Sequence, residues 1–367
     1  IGGRLLTAEE QGGGDLGGAW VWLRSEHAMK TTLQEFQIKT VPMWLHGDVH
    51  ARLHNGQHQM IPDFAGNYAA CGSDAMRIPG GATTLVQALL QEKPNLSIEL
   101  GKIITKIEYD DNEAHVHYRS PDKDDERTET IHCRTVVLAA PPKVLANTID
   151  FVPPLPEEKM ESMRLTPTWM EDFGKVAISF PKNWWREHNM SAISIDQLGE
   201  VQNWWEACSG KDGDGTRPTL AGFVNGNRSS SLKKIVESNP DDIFEHILNT
   251  ITKVYGVDVE TLGYDKKKCS DAKTSGSPGE DGLIVSKGGI TVTYKSWKED
   301  PCTNRQNKGG TTSYSTTEYG DPWLQHSVGP LFFAGCEAAY GSGHMDSAVV
   351  AGQRVSEEVE AHLSRGI

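Results

Sequence analysis

No stretch of the 367 residues approaches the roughly 20 consecutive apolar positions that a membrane-spanning helix needs, so a soluble globular protein is expected. Basic charge is also short. Lys and Arg number 36 against 50 Asp and Glu, and the formal net charge of −14 argues against a nucleic-acid partner held through a basic surface. The same acidity mildly favours cationic ligands. Six cysteines (Cys71, Cys133, Cys208, Cys269, Cys302 and Cys336) form no CxxC pair and no zinc-like spacing with histidine, which predicts scattered reduced thiols and no structural metal. The 13 histidines show no Ser/Cys–His–Asp arrangement, and no internal repeat occurs. "IGGRLLT" opens the chain without methionine and without a signal-peptide pattern.

What the chain does contain is glycine in clusters, at 12–18, at 80–81 and at 335–343. Its length suits two domains or one large α/β unit. "RIPGGATTLVQALLQE" predicts a turn and then a helix with Leu85, Leu89 and Leu90 along one apolar face. "KIITKIEY" and "EAHVHYRS" predict a hairpin turning at Asp110–Asn112, and "HCRTVVLAAPP" predicts a buried strand stopped by two prolines. Strands are expected over 174–180, 191–196 and 219–224, helices near 229–237 and 241–254, a loop over "KCSDAKTSGSPGEDG", and a strand in "GGITVTYKSW".

Two polar features need a reading of their own. His46, His50, His54 and His58 stand at helix-like spacing, but Gly47, Asn55 and Gly56 oppose the helix that would align them, so a solvated hairpin is expected and not a metal site. In "GKVAISF", Lys175, Ala177 and Ser179 share one strand face, and pattern alone places the lysine on solvent.

The stretch 332–359, "FFAGCEAAYGSGHMDSAVVAGQRVSEEV", reads as a strand, a glycine turn through Gly335, Gly341 and Gly343, and a helix. Asp346 is the expected N-cap, with Ala348, Val349, Val355 and Val359 along the apolar face. Glycine permits close approach of backbone to a ligand, and a helix beginning after the turn offers free N–H groups to an anion.

Taken in order, "IGGRLLT", "DLGGAW", "RIPGG", "VVLAAPP", "FVPPLP", "GKVAISFPKNWW" and this last block resemble the FAD-containing amine oxidases. That family includes monoamine and polyamine oxidases and the flavin L-amino-acid oxidases, and the resemblance covers nearly the whole chain. It implies a mixed α/β fold with a Rossmann-like FAD-binding domain assembled from 1–44, 77–164 and 296–367. A substrate domain of sheet plus helices would comprise 45–76 and 165–295. The activity implied is oxidation of an amine carbon–nitrogen bond by hydride transfer to non-covalent FAD, with O2 reduced to hydrogen peroxide. No nucleic-acid partner is implied.

Position by position, the resemblance places Gly2, Gly3 and Arg4 beside the FAD pyrophosphate and Gly17, Gly18, Ala19 and Trp20 along the isoalloxazine ring. Ile104 would hold the adenine through its backbone, and Gly335, Glu337 and Gly343 would line the ribityl chain and pyrophosphate. Met345 would offer its backbone N–H to the flavin O2. The same likeness makes Lys175 the lysine that assists oxygen chemistry through a water at flavin N5. Phe223, Tyr314, His344 and Trp297 become walls of the substrate pocket.

The chain departs from the pattern in three ways. The family's opening strand–GxGxxG–helix unit is not recognisable, since the one spelling of that motif, "GGGDLG" at 12–17, has no strand before it and no helix pattern after it, and the sequence begins about where that βαβ unit should end. An N-terminally incomplete protein is expected, weak in FAD binding and inactive by itself, with any targeting segment lying upstream. "DLGG" at 15–18 and "RIPGG" at 77–81 stand closer than is common in the family, and His344 replaces a tyrosine of its aromatic cage. No cysteine matches the covalent flavin attachment site. Two rivals stay open: a desaturase or protoporphyrinogen-type oxidase of the same fold, and a non-catalytic remnant.

Overall fold

The computed structural model describes residues 1–8, 14–62, 71–121, 127–210, 217–304 and 319–365. They fall into two compact units: residues 1–26, 30–92 and 172–300 in the first, and 27–29, 93–171 and 301–367 in the second. These are units of packing and follow different boundaries from the cofactor and substrate regions expected above.

A nine-stranded sheet dominates the first unit. Its order is Lys273–Ser275, Leu283–Lys287, Ile290–Ser296, Gly174–Ser179, Thr219–Val224, Val201–Cys208, Met190–Asp196, Asp48–Arg52 and His58–Ile61. Neighbours run antiparallel except for Met190–Asp196 beside Asp48–Arg52. Helix Asp242–Tyr255 sends Ile243, Ile247, Ile251 and Val254 into one core with Val176, Ile178, Leu220 and Trp184. Gly256 ends that helix in the left-handed conformation at φ +68, where a side chain would be strained. Trp205 and Ala221 join Met43, Val49 and Ile193 in a separate core. Gly174–Ser179 is therefore buried at every position, because both of its faces are covered.

Several expectations need correction here. Lys175 does not face solvent: it is buried. The histidine segment does form a hairpin, but Val49, His50 and Ala51 lie inside it, because Asp48–Arg52 is an interior strand. Within "KCSDAKTSGSPGEDG", one 3-10 turn spans Lys266–Asp271 and a strand spans Lys273–Ser275, where a loop was expected. Leu89 points to solvent, so the buried contact of helix Thr83–Gln91 is Leu85 alone.

The second unit carries a four-stranded sheet ordered Thr128–Cys133, Ala114–Arg119, Ile103–Tyr109 and Asp150–Val152. The expected hairpin is present, and Asp110 Oδ1 closes its turn by accepting from the N–H groups of Asn112 at 2.7 Å and Glu113 at 3.0 Å. "HCRTVVLAAPP" is not one buried strand. It breaks at Arg134 and Thr135, and Val136–Leu138 pairs in parallel with Leu331–Phe333 while Val137 stays half exposed. Helix Met345–Arg365 follows the glycine turn, and Ala351 and Val355 bury against Phe332, Ala334 and Ala339. The buried face is thus Ser347, Ala351 and Val355, displaced from Ala348, which is exposed. Asp346 lies in the first turn and is not its N-cap; its Oδ1 accepts from the Met29 N–H at 2.7 Å.

Candidate active site

The candidate residues form two sets, one in each unit. In the first, "IGGRLLT" and "DLGGAW" bind each other through their backbones. Leu16 and Gly17 donate to Leu6 O at 2.8 and 3.0 Å, and Gly18 donates to Arg4 O at 3.1 Å. This approach needs glycine: a Cβ on Gly17 would stand 1.9 Å from Arg4 O. Gly2 and Gly3, at φ +101 and +56, turn the chain just before Arg4.

Lys175 is anchored on this turn. Its Nζ donates to Gly17 O at 2.6 Å and lies over the rings of Phe223, Trp205 and Trp20, at 5.3, 5.6 and 5.9 Å from their centroids. The three rings touch one another, Trp205 to Phe223 at 4.7 Å and Trp20 to Trp205 at 4.9 Å. Trp297 supports the same turn by donating Nε1–H to Leu16 O at 2.9 Å. Burial pushes the Lys175 ammonium down to about 8, with Asp15 opposing the shift.

Asp15 is buried as well, and desolvation pushes its carboxyl up to about 6 against the Thr7 hydroxyl at 2.6 Å, the Ala82 N–H at 2.9 Å, Lys175 and Arg77. Gly81 keeps this corner tight, because its Cβ would meet the Thr7 side chain at 2.3 Å. Asp15 and Trp205 were not foreseen. Trp205 belongs to strand Val201–Cys208, whose interior Glu206 masks the alternation that marks a strand.

In the second unit, Gly335 at φ +105 leads from Leu331–Phe333 into a short 3-10 turn, where Glu337 is fully buried beside the Cys336 thiol at 3.2 Å. Gly343, at φ +72, passes under Trp169, where a Cβ would come within 2.8 Å of the indole. The next residue, His344, meets Trp169 edge-on at 5.8 Å between centroids, and helix Met345–Arg365 starts one position later. Ile104 lies just before a register irregularity in strand Ile103–Tyr109. Tyr314 falls outside the described residues.

The sequence profile of the flavin containing amine oxidoreductases matches residues 42–360. The chain belongs to that family. Bovine flavin-containing amine oxidase B is 27% identical over 228 residues, covering 61% of this chain and 37% of the relative. A zebrafish flavin-containing amine oxidase is 23% identical over 299 residues, covering 80% of this chain and 48% of its own length. The chain thus spans under half the length of these curated relatives. Among solved structures, cyclohexylamine oxidase from Brevibacterium oxydans superposes with a TM-score of 0.70 at 17% identity, over 99% of this chain and 92% of the other. Putrescine oxidase bound to putrescine gives 0.64 at 16%, over 98% and 91%. Likeness at this identity shows the shared fold.

The residues of this flavin amine oxidase family member suit the flavin that its family carries. A Cβ built on Gly3 would meet nothing within 4 Å, so that turn leaves open space beside its backbone, whereas one on Gly335 would touch Glu337 Oε2 at 3.5 Å and Ala139 O at 3.6 Å. In the first unit Arg4 carries a guanidinium, and in the second the start of the 21-residue helix at Met345 presents backbone N–H groups and a positive dipole end of the kind that suits an anion. Among the described residues, no helix is long and apolar enough to cross a membrane.

Proposed function

We propose that this chain forms the catalytic part of an FAD-dependent amine oxidase using an amine as electron donor and O2 as acceptor, with FAD held non-covalently. The observation that carries this reading is Lys175, a buried ammonium fixed on Gly17 O inside an aromatic enclosure. Lys159 and Lys295 are also buried, each donating to two backbone carbonyls; Lys175 differs in lying over three aromatic rings beside the glycine turn. Bound FAD supplies a two-electron acceptor for the amine carbon–nitrogen bond, which O2 restores with formation of hydrogen peroxide.

The chain's own residues supply placement and electrostatics. Trp20, Trp205 and Phe223 keep water from Lys175, and Nζ holds a proton and a positive charge where oxygen gains electrons. Gly2, Gly3 and Arg4 serve the pyrophosphate, with Gly17, Gly18, Ala19 and Trp20 beside the ring. In the second unit, Ile104 serves the adenine, Gly335, Glu337 and Gly343 line the cofactor, and Met345 offers its N–H at a helix start. In the first unit Phe223 and Trp297 are the walls proposed for the amine, and in the second His344 is the candidate. Residues 1–44, 77–164 and 296–367 thus serve the cofactor, and 45–76 and 165–295 the substrate.

The amine carbon becomes a carbonyl once its imine takes up water, so the products are an aldehyde or ketone, an amine or ammonia, and peroxide. The test is peroxide release by the FAD-loaded protein across primary amines, secondary amines and polyamines. Release with at least one class supports the reading. Silence with all amines, together with oxidation of a carbon–carbon or porphyrinogen donor, transfers the assignment to the rival oxidoreductases. Acid precipitation that leaves flavin in the pellet would refute non-covalent binding.

A further inference from the structure

Trp169 packs on the glycine turn of the second unit, and the flavin chemistry above gives it no task. It belongs to a strained turn over residues 167–171. Met170, which is not glycine, has φ +57, and the buried Thr168 hydroxyl has no hydrogen-bond partner among the described residues. Left-handed backbone under a side chain and an unpaired buried hydroxyl persist only where the surroundings impose them, and such costs gather at ligand sites. The surroundings here are explicit. The Tyr319 hydroxyl donates to Pro167 O at 2.9 Å, and Lys143 Nζ donates to the two Glu171 carboxylate oxygens at 3.0 and 3.3 Å. The Glu171 N–H closes the turn on Thr168 O at 3.1 Å. The indole is thus displayed, half-buried, on a fixed support.

The chain ahead of the long helix is shaped around the same ring. A Cβ on Gly343 would stand 2.8 Å from Trp169 Cγ and 2.9 Å from its Cδ2, so only glycine lets the backbone pass. His344 follows, also half-buried, with its ring at 70° to the indole and 5.8 Å between centroids. Two rings near a right angle make a corner, in which a bulky apolar group packs on one ring and against the other. An indole face also attracts an ammonium.

A second ammonium on the same ligand would need a carboxylate. The acidic residues of the two segments that build the corner, 167–171 and 335–346, are Glu171, Glu337 and Asp346. Each is engaged: Glu171 by Lys143, Glu337 fully buried beside the Cys336 thiol, and Asp346 by the Met29 N–H at 2.7 Å.

We propose that Trp169 is a specificity-determining wall of the amine site, which with His344 receives the aryl or other bulky apolar body of a monoamine in preference to a linear diamine or polyamine; this rests on the amine oxidase reading above. The indole touches the substrate body, away from the carbon that is oxidised, so it sets which amine is held and not how fast the held amine reacts.

The experiment compares the FAD-loaded wild type with Trp169→Leu, Trp169→Phe and a control, Trp323→Leu. Trp323 is another partly exposed indole of the second unit, set against His326 at 73° and 5.9 Å between centroids. Calorimetry measures binding of α,α-dimethylbenzylamine, which carries no hydrogen on the carbon beside nitrogen and cannot be oxidised there. Peroxide release measures turnover of benzylamine and putrescine. The wild type should bind the first and use benzylamine at least about tenfold more efficiently than putrescine. Trp169→Leu should weaken α,α-dimethylbenzylamine about three- to tenfold and raise the KM of benzylamine by the same factor with kcat held. Trp169→Phe should fall between the two, and it decides the matter if Trp169→Leu does not fold. Trp323→Leu should change neither quantity. Unchanged binding and KM in the Trp169 variants while amines still release peroxide would overturn the proposal and leave the oxidase reading intact. Ring-dependent binding without peroxide from any amine would uphold the wall and sink the oxidase reading. Preference for putrescine, no binding by the wild type, or an equal loss in Trp323→Leu would each overturn the proposal.

Discussion

Replacing Lys175 by methionine keeps an unbranched stem in the aromatic enclosure and removes the charge. The ordinary lysine value is 10.5, and burial lowers this one to about 8. Between those values the unfolded chain keeps a proton that the folded protein has lost, so stability rises with pH across the window. The cost of enclosing the ammonium is fully present below about pH 8 and is relieved towards 10.5. A separation of 10.5 less about 8, at ~1.4 kcal/mol per unit, gives a full span of about 3 kcal/mol. At a urea dependence of ~3 kcal/mol per molar, that is about 1 M in midpoint. Exposed lysines titrate alike in wild type and variant, and they cancel in the comparison. Urea unfolding of both proteins across pH 8 to 10.5 should show the wild type gaining on Lys175→Met by up to that amount. Parallel pH profiles would refute the claim that Lys175 is an enclosed charge.

Three further outcomes follow from the same packing. Asp15 is raised from 3.8 to about 6, so the folded state holds its proton longer and stability falls as pH climbs between those values. Asp15→Asn should abolish that fall, about 3 kcal/mol at its largest, in urea unfolding at mildly acidic pH. Glu206 is fully buried and accepts from Arg77 at 3.1 Å, Arg186 at 2.5 and 2.8 Å, and Trp185 Nε1 at 2.9 Å. Glu206→Gln removes the buried carboxylate charge that Arg77 and Arg186 share and should cost about 3–5 kcal/mol in denaturant unfolding; a loss under 1 kcal/mol would contradict this. Gly17→Ala sets a methyl 1.9 Å from Arg4 O, and calorimetry should show a loss of about 4 kcal/mol or more, or no folded protein.

The parts legible in the sequence were those whose pattern is local. Strand Thr219–Val224 matches its expected span, and the turn at Asp110 was marked by the residues that close it. Lys175 was misplaced by the same local reasoning. A lysine in an alternating strand looks solvated until Trp20 and Trp205, from distant segments, close over it. Strand Val201–Cys208 was hidden by Glu206, a carboxylate tolerated inside the sheet because Arg77 and Arg186 reach it from elsewhere in the chain. His50 and His58 looked unproductive at helical spacing and became a facing pair only through the hairpin. Charge and aromatic partners brought together by tertiary contact leave no periodic trace.

The central claim is that Lys175 serves oxygen and not the amine. The direct measurement is stopped-flow absorbance of the FAD-loaded full-length protein and its Lys175→Met variant, in two halves. One half follows bleaching of the flavin band by amine without oxygen, and the other follows its return on mixing with O2. The account predicts that the variant bleaches at nearly the wild-type rate and recovers ten- to a thousandfold more slowly, roughly what loss of one preorganised electrostatic group costs. Equal slowing of both halves, or unchanged recovery, would contradict it.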